Sequence, residues 1–201
     1  MQETVAAAVI SWTEWDGDRP LIDPMCGSGT LLAEALMHYC RIPAGCLRRR
    51  FGFERLPDFD DSLWASVKAA ADRGIRPLPA GLISGSDMDG EAVDTARENL
   101  RRLPQGENIT LQRADVRRLR DLSERVIVCN PPYGIRLKDP SGIGEFYREI
   151  GDFLKQRCRG TTAFVYFGNR EMLKYIGLKP AWKRPLKTGG LDGRLVKFEM
   201  Y

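Results

Sequence analysis

The spacing of apolar positions changes several times along the chain, and each change predicts an element. Thr4-Val5-Ala6-Ala7-Ala8-Val9-Ile10 carries a helical run from Glu3 to Trp15, which Asp16-Gly17-Asp18 ends. A short strand, Arg19 to Asp23, leads through Pro24-Met25-Cys26-Gly27-Ser28-Gly29 into an apolar-rich helix, Thr30 to Tyr39. The alternation then breaks: 41–80 reads as an insertion, with loops at Ile42-Pro43-Ala44-Gly45 and Leu56-Pro57. It also holds a helix from Asp61 to Arg73 with Leu63, Trp64, Val67 and Ala71 on one side. Its expected role is a lid or brace on the core, with a substrate contact as the alternative.

Strand and helix patterns resume after the insertion. Gly81 to Ser86 predicts a strand, Gly90 to Leu103 an amphipathic helix, Asn108 to Gln112 a strand, and Val126-Ile127-Val128 a strand apolar on both faces. Glu145 to Cys158 predicts a helix with Phe146, Ile150, Phe153 and Leu154 facing inward, Thr161 to Phe167 a strand, and Asn169 to Ile176 a short helix. Trp182 to Leu186 and Leu195 to Tyr201 read as two strands joined by Thr188-Gly189-Gly190-Leu191-Asp192-Gly193, which has hairpin chemistry. Strands alternating with helices argue a doubly wound, Rossmann-like α/β fold. The expected sheet is mostly parallel and seven-stranded, with a C-terminal antiparallel hairpin, in a single domain spanning 1–201.

The most informative stretch is where the Val126 strand stops, in Asn130-Pro131-Pro132-Tyr133-Gly134. Two prolines cannot extend a ladder, so the backbone leaves the sheet at its carboxyl edge, where open α/β sheets hold ligands. That edge then offers a side-chain amide, a rigid carbonyl and an aromatic ring.

Composition narrows the chemistry. With 43% hydrophobic and 29% charged residues and a net charge of +4, the 201-residue chain has an ordinary soluble composition. No apolar run approaches a membrane span and the start lacks a signal peptide, so a cytoplasmic location is expected. The five cysteines form no C-x-x-C pair, and His38 is the single histidine, inside a helical pattern. Neither a metal site, a disulfide framework nor a histidine base is expected. Basic clusters at Arg48-Arg49-Arg50, Arg101-Arg102, Arg117-Arg118 and Lys183-Arg184 suit a polyanion, although each alone reads equally well as a solvated face.

The glycine turn decides the cofactor class. Gly27 and Gly29 fit a dinucleotide fingerprint, but its third glycine position holds Leu32, and Gly29 is followed by Thr30 where a P-loop needs Gly-Lys. A nucleoside without phosphates fits better. Asp87 and Asp115, at the ends of the second and third strands, are placed to accept from ribose hydroxyls and from an adenine amine, with helix capping as the plain alternative for each.

Asp23-Pro24-Met25-Cys26-Gly27-Ser28-Gly29-Thr30, Gly85-Ser86-Asp87-Met88-Asp89, Ala114-Asp115 and Asn130-Pro131-Pro132-Tyr133-Gly134 stand in that order. Together they resemble the class I S-adenosylmethionine-dependent methyltransferases that modify exocyclic amines. The chain is most similar to the bacterial 23S ribosomal RNA guanine-N2 methyltransferases, and the insertion, with Arg50-Phe51-Gly52-Phe53 and Trp64, is similar to theirs. The resemblance implies that Asp23, Pro24, Met25, Cys26, Gly27, Ser28, Gly29 and Thr30 hold the methionine part of S-adenosylmethionine. Asp87 would hold its ribose, Met88 pack on the adenine, and Asp115 with Val116 read the adenine edge. Asn130, with Pro131, Pro132 and Tyr133, would then face both the methyl and the incoming amine, and S-adenosylhomocysteine would be the product. Ribosomal RNA is the implied partner. An RNA-binding THUMP domain is expected N-terminal to this one in a longer chain.

Other readings stay open at this stage. The Asn-Pro-Pro-Tyr chemistry serves a DNA adenine-N6 or a tRNA guanine-N2 methyltransferase equally well. Outside the class stand an inactive nucleoside-binding module that docks on RNA and an NAD-dependent oxidoreductase.

Overall fold

Proline on either side confines the first strand to three residues, β1 (Leu21–Asp23). In this computed structural model of the protein, residues 1–132, 142–187 and 192–201 are described. Within them β1 pairs in parallel with both β2 (Ile83–Asp87) and β4 (Val126–Cys129). Beyond these, β3 (Thr110–Arg113) flanks β2 and β5 (Thr162–Phe167) flanks β4, again in parallel. β7 (Arg194–Glu199) lies antiparallel to β5 and to β6 (Trp182–Pro185), completing a seven-stranded sheet in the order β3-β2-β1-β4-β5-β7-β6. The expected mixed, mostly parallel architecture is present. The hairpin contributes more than an edge strand, because β7 is inserted between β5 and β6.

Strand order reverses between β1 and β4. The chain builds outward through β2 and β3 on one side, then returns to start β4 on the other. That reversal opens a crevice at the carboxyl ends of β1 and β4, the position where open sheets bind ligands.

Alternate residues of the central strands feed two separate cores. Leu21, Val126, Val128, Phe164, Tyr166 and Leu195 face α1 (Glu3–Thr13), α2 (Thr30–Cys40) and α4 (Gly90–Leu100). Ile22, Ile127, Cys129, Val165, Phe167 and Phe198 face α5 (Ile143–Arg157). Burial on both faces is why these strands read as continuous apolar runs. The outer strand β6 exposes Lys183, Arg184 and Pro185, residues that discourage pairing with another sheet.

Several sequence readings need correction: α4 stops at Leu100, short of Leu103, and the short helix read from Asn169 to Ile176 is a 3-10 turn over Arg170–Lys174. The first helix ends at Thr13, because Glu14 takes φ 55 and Trp15 turns inward, donating its indole N–H to the Arg19 carbonyl at 2.8 Å. The insertion helix α3 (Asp61–Arg73) begins where read, with Asp60 accepting from the Ser62 and Leu63 amides, but it buries no residue. Leu63 and Val67 are exposed, so its apolar stripe braces nothing in the core. Only Trp64 is partly covered, by Phe51 and Phe53. Part of the predicted hairpin link, at 188–191, lies outside the described residues.

Candidate active site at the carboxyl ends of β1, β2 and β4

The turn after β1 is stapled to the end of β2. The Cys26 amide donates to the Ser86 carbonyl at 2.9 Å, the Ser86 hydroxyl to the Pro24 carbonyl at 3.3 Å, and the Gly27 amide to Asp87 Oδ2 at 2.9 Å. From outside, Asn99 on α4 donates its side-chain amide to the Ser28 carbonyl at 3.1 Å. Gly27 and Gly29 adopt φ of +51° and +83°, where a side chain is strained. A Cβ on Gly29 would also lie 3.1 Å from the Ala96 Cβ of α4. Gly29 caps α2 without any side-chain partner for the first amides.

Two carboxylates meet under this turn. Asp23 is 1% exposed, accepts from the Met25 amide at 3.0 Å, and has its pKa raised from 3.8 to about 8, by burial first and by Asp87 last. Asp87 is oriented by two backbone amides, Gly27 on Oδ2 and Asp89 on Oδ1 at 3.0 Å. Each oxygen keeps acceptor capacity for another donor, which suits a vicinal diol. Helix α4 takes its N-cap from Asp89 and not from Asp87. Met88, the next residue after Asp87, is 62% exposed, a large apolar side chain at the crevice edge.

Asp115 has a more committed environment. It accepts from the Arg117 amide at 3.0 Å, capping the short turn Val116–Arg118, and pairs with the Arg117 guanidinium at 2.6 Å. Those bonds hold its carboxyl below the ordinary range. Here the capping alternative is realised, and each carboxylate oxygen already accepts two hydrogen bonds from Arg117. Val116 is buried behind it.

Asn130 follows β4 and is partly exposed, Pro131 is buried and Pro132 exposed. Tyr133 lies outside the described residues. The Pro132 carbonyl accepts from the Tyr147 hydroxyl of α5 at 3.2 Å, and the Tyr147 ring, fully buried, stacks on Phe167 at 5.4 Å. Tyr147 and Ser86 are site-positioning residues that the sequence reading passed over. Tyr147 shares the inward stripe of Ile143, Ile150 and Leu154, a signal that was available. Burial pushes the Cys26 thiol up to about 12 and the Cys129 thiol well above its ordinary value, so neither is a nucleophile near neutral pH. His38 is on the exposed last turn of α2.

A family described as an RMKL-like methyltransferase domain matches residues 1–197. The chain belongs to that family. Among curated relatives, an assigned RNA methyltransferase of Synechocystis sp. is 40% identical over 202 residues, which cover all of this chain and 53% of that protein. The ribosomal RNA large subunit methyltransferase K/L of Vibrio cholerae is 38% identical over 198 residues, covering 95% of this chain and 28% of the relative. The chain thus spans about half or less of these relatives' length.

Solved structures agree on the architecture. An assigned methyltransferase crystallised with S-adenosylhomocysteine superposes with a TM-score of 0.87 at 32% identity, over 99% of this chain and 52% of that one. A Listeria monocytogenes protein assigned as an N6-adenine-specific DNA methylase gives 0.87 at 29% identity, over 100% and 52%. Among the described residues, no helix is long and apolar enough to cross a membrane.

Proposed function

We propose that this domain transfers a methyl group from S-adenosylmethionine to the exocyclic N2 amine of a guanine in 23S ribosomal RNA. The observation that carries the reading is the adjacency of two carboxyl ends. β1 delivers the stapled glycine turn and β4 delivers Asn130 and Pro131, side by side at the strand-order reversal. The crevice residues fit the donor. Asp87 has two oriented oxygens for the ribose, exposed Met88 offers an apolar face for the adenine, and the buried Asp23 suits a cationic ligand. When bound, the donor supplies a methyl already activated by a sulfonium, so neither a metal nor a covalent intermediate is required.

The harder part is the nucleophile, because a base amine delocalises its lone pair into the ring. The Asn130 side-chain oxygen and the Pro131 carbonyl accept from that NH2, turning it toward the methyl and stabilising the positive charge that grows on nitrogen. An amide takes up no proton near neutral pH, so Asn130 orients and is not a base. The amine therefore loses its proton after transfer, to water. Tyr133 stacks on the base, a contact of roughly 1–3 kcal/mol, once the base has left its helix.

Tyr147 is a positioning residue, because its hydroxyl holds the Pro132 carbonyl two residues after Asn130. Tyr147→Phe keeps the ring on Phe167 and removes the hydroxyl's bond to the Pro132 carbonyl. It is expected to lower single-turnover methyl transfer by about tenfold, with stability lower by about 1 kcal/mol. Calorimetric affinity for S-adenosylmethionine should be unchanged. A transfer rate equal to the wild type's would mean that the turn is held without Tyr147.

Tritiated methyl transfer to 23S ribosomal RNA, tRNA and DNA in parallel, followed by nucleoside digestion, tests the substrate. The expected label is N2-methylguanosine from ribosomal RNA; the name of the Vibrio cholerae relative supports ribosomal RNA as the substrate. The second reading, an adenine-N6 methylase, is supported by the Listeria neighbour's name and would place the label in N6-methyladenine or N6-methyladenosine.

A further inference from the structure

Between α2 and β2 the chain forms a small aromatic knot with an unusual outer surface. Trp64, the partly covered residue of α3, meets Phe51 and Phe53 edge-on at 5.3 and 4.9 Å, and those two rings stack at 5.2 Å. The knot closes no core; its effect is to hold the segment from Arg48 to Arg55 in place against α3. Along that segment Arg48, Arg49, Arg50 and Arg55 are all exposed. Among the described residues none of the four forms an ion pair, whereas Arg97, Arg117 and Arg170 are each held by a carboxylate. Among the described residues, the one hydrogen bond, ion pair or ring contact made by these four side chains is Arg48 over the Phe51 ring at 5.6 Å. The segment's single acid, Glu54, is turned inward to accept from the Phe51 amide at 3.1 Å. Phe53 remains 40% exposed.

Unpaired guanidinium groups beside an exposed aromatic ring provide phosphate contacts and base stacking together, the combination that recognises single-stranded nucleic acid. We propose that the segment from Arg48 to Arg55 is a docking surface for single-stranded stretches of the RNA substrate. This rests on reading the domain as an RNA methyltransferase. The neighbouring groove of about 590 Å³, between α1, α2 and α4, is a poorer path for RNA, because its lining sets two acids, Glu3 and Glu34, against one arginine, Arg102.

The test compares the protein with its R48Q/R49Q/R50Q variant, using a fluorescent single-stranded RNA oligonucleotide titrated at several salt concentrations. Loss of three phosphate contacts should weaken binding by about tenfold or more. It should also flatten the slope of log K against log salt by about 2, at roughly 0.7 per phosphate on a single strand. Calorimetric affinity for S-adenosylmethionine should not change, and in the methyl-transfer assay KM for RNA should rise with kcat near the wild type's. Unchanged RNA affinity and slope, with the wild type methylating RNA, would overturn the surface and leave the catalytic reading intact. A wild type that labels DNA and not RNA would overturn both. If the substitutions leave RNA binding alone but shift the sedimentation of the protein, the segment is a protein interface and the proposal fails.

Discussion

Asn130→Ala is expected to lower methyl transfer by about 10³-fold or more while S-adenosylmethionine binds within about threefold of its wild-type affinity. The asymmetry follows from where the residue stands. Asn130 leaves the end of β4, while the glycine turn, Asp87 and Met88 come from β1 and β2, so truncating the amide removes nothing that anchors a nucleoside there. In the proposed mechanism, what disappears is an acceptor whose interaction strengthens as the amine nitrogen becomes positive, and such an interaction lowers the barrier more than it binds the ground state. Single-turnover transfer and calorimetry on the same preparation separate the two effects. Loss of cofactor affinity in parallel with rate would show that Asn130 belongs to the cofactor site, and unaltered transfer would remove it from the mechanism.

The second large effect concerns stability. Asp23→Asn is expected to make the protein alone more resistant to urea than the wild type at pH 8, by several kcal/mol, with the difference vanishing near pH 4. The folded chain holds the Asp23 proton up to about pH 8, while the unfolded chain releases it near 3.8. Below both values the carboxyl is protonated in either state and adds no pH dependence. Between them the folded state binds the extra proton, so wild-type stability falls as pH rises, and the full penalty is present above about 8. Asparagine carries no charge to bury and keeps an oxygen for the Met25 amide. The same variant should bind S-adenosylmethionine more weakly, because the carboxyl that destabilises the protein alone is the one available to a cation. Urea midpoints at pH 4, 6 and 8 check the first half, and calorimetry the second. Curves that stay parallel across that range would show that Asp23 is already ionised in the folded protein.

The strand ends were legible because each carries its own stop signal: Pro24 after β1, the Asp87-Met88-Asp89 turn after β2, and two prolines after Asn130. Helix α3 was legible too, from its stripe of Leu63, Trp64, Val67 and Ala71. Its exposure was not, since periodicity reports that a face exists and is silent about what covers it. The two fasteners of the site, Ser86 to Pro24 and Tyr147 to Pro132, join residues far apart in sequence and look unremarkable in isolation. Asp115 shows the reverse case. It was placed correctly at a strand end, but its clasp by Arg117 two residues on gives it a structural task as well.

The insertion of β7 between β5 and β6 has a consequence for how the chain is made. Strand β5 is buried on both faces, and β7, which seals its hydrogen-bonding edge, follows every other strand in the sequence. During synthesis the ribosome therefore exposes an apolar, half-paired β5 until residues past Glu199 have emerged. Nascent chains stalled before that point carry an open edge of the kind that chaperones capture and that pairs with other chains. Completion of the sheet is therefore a late event in the life of the chain.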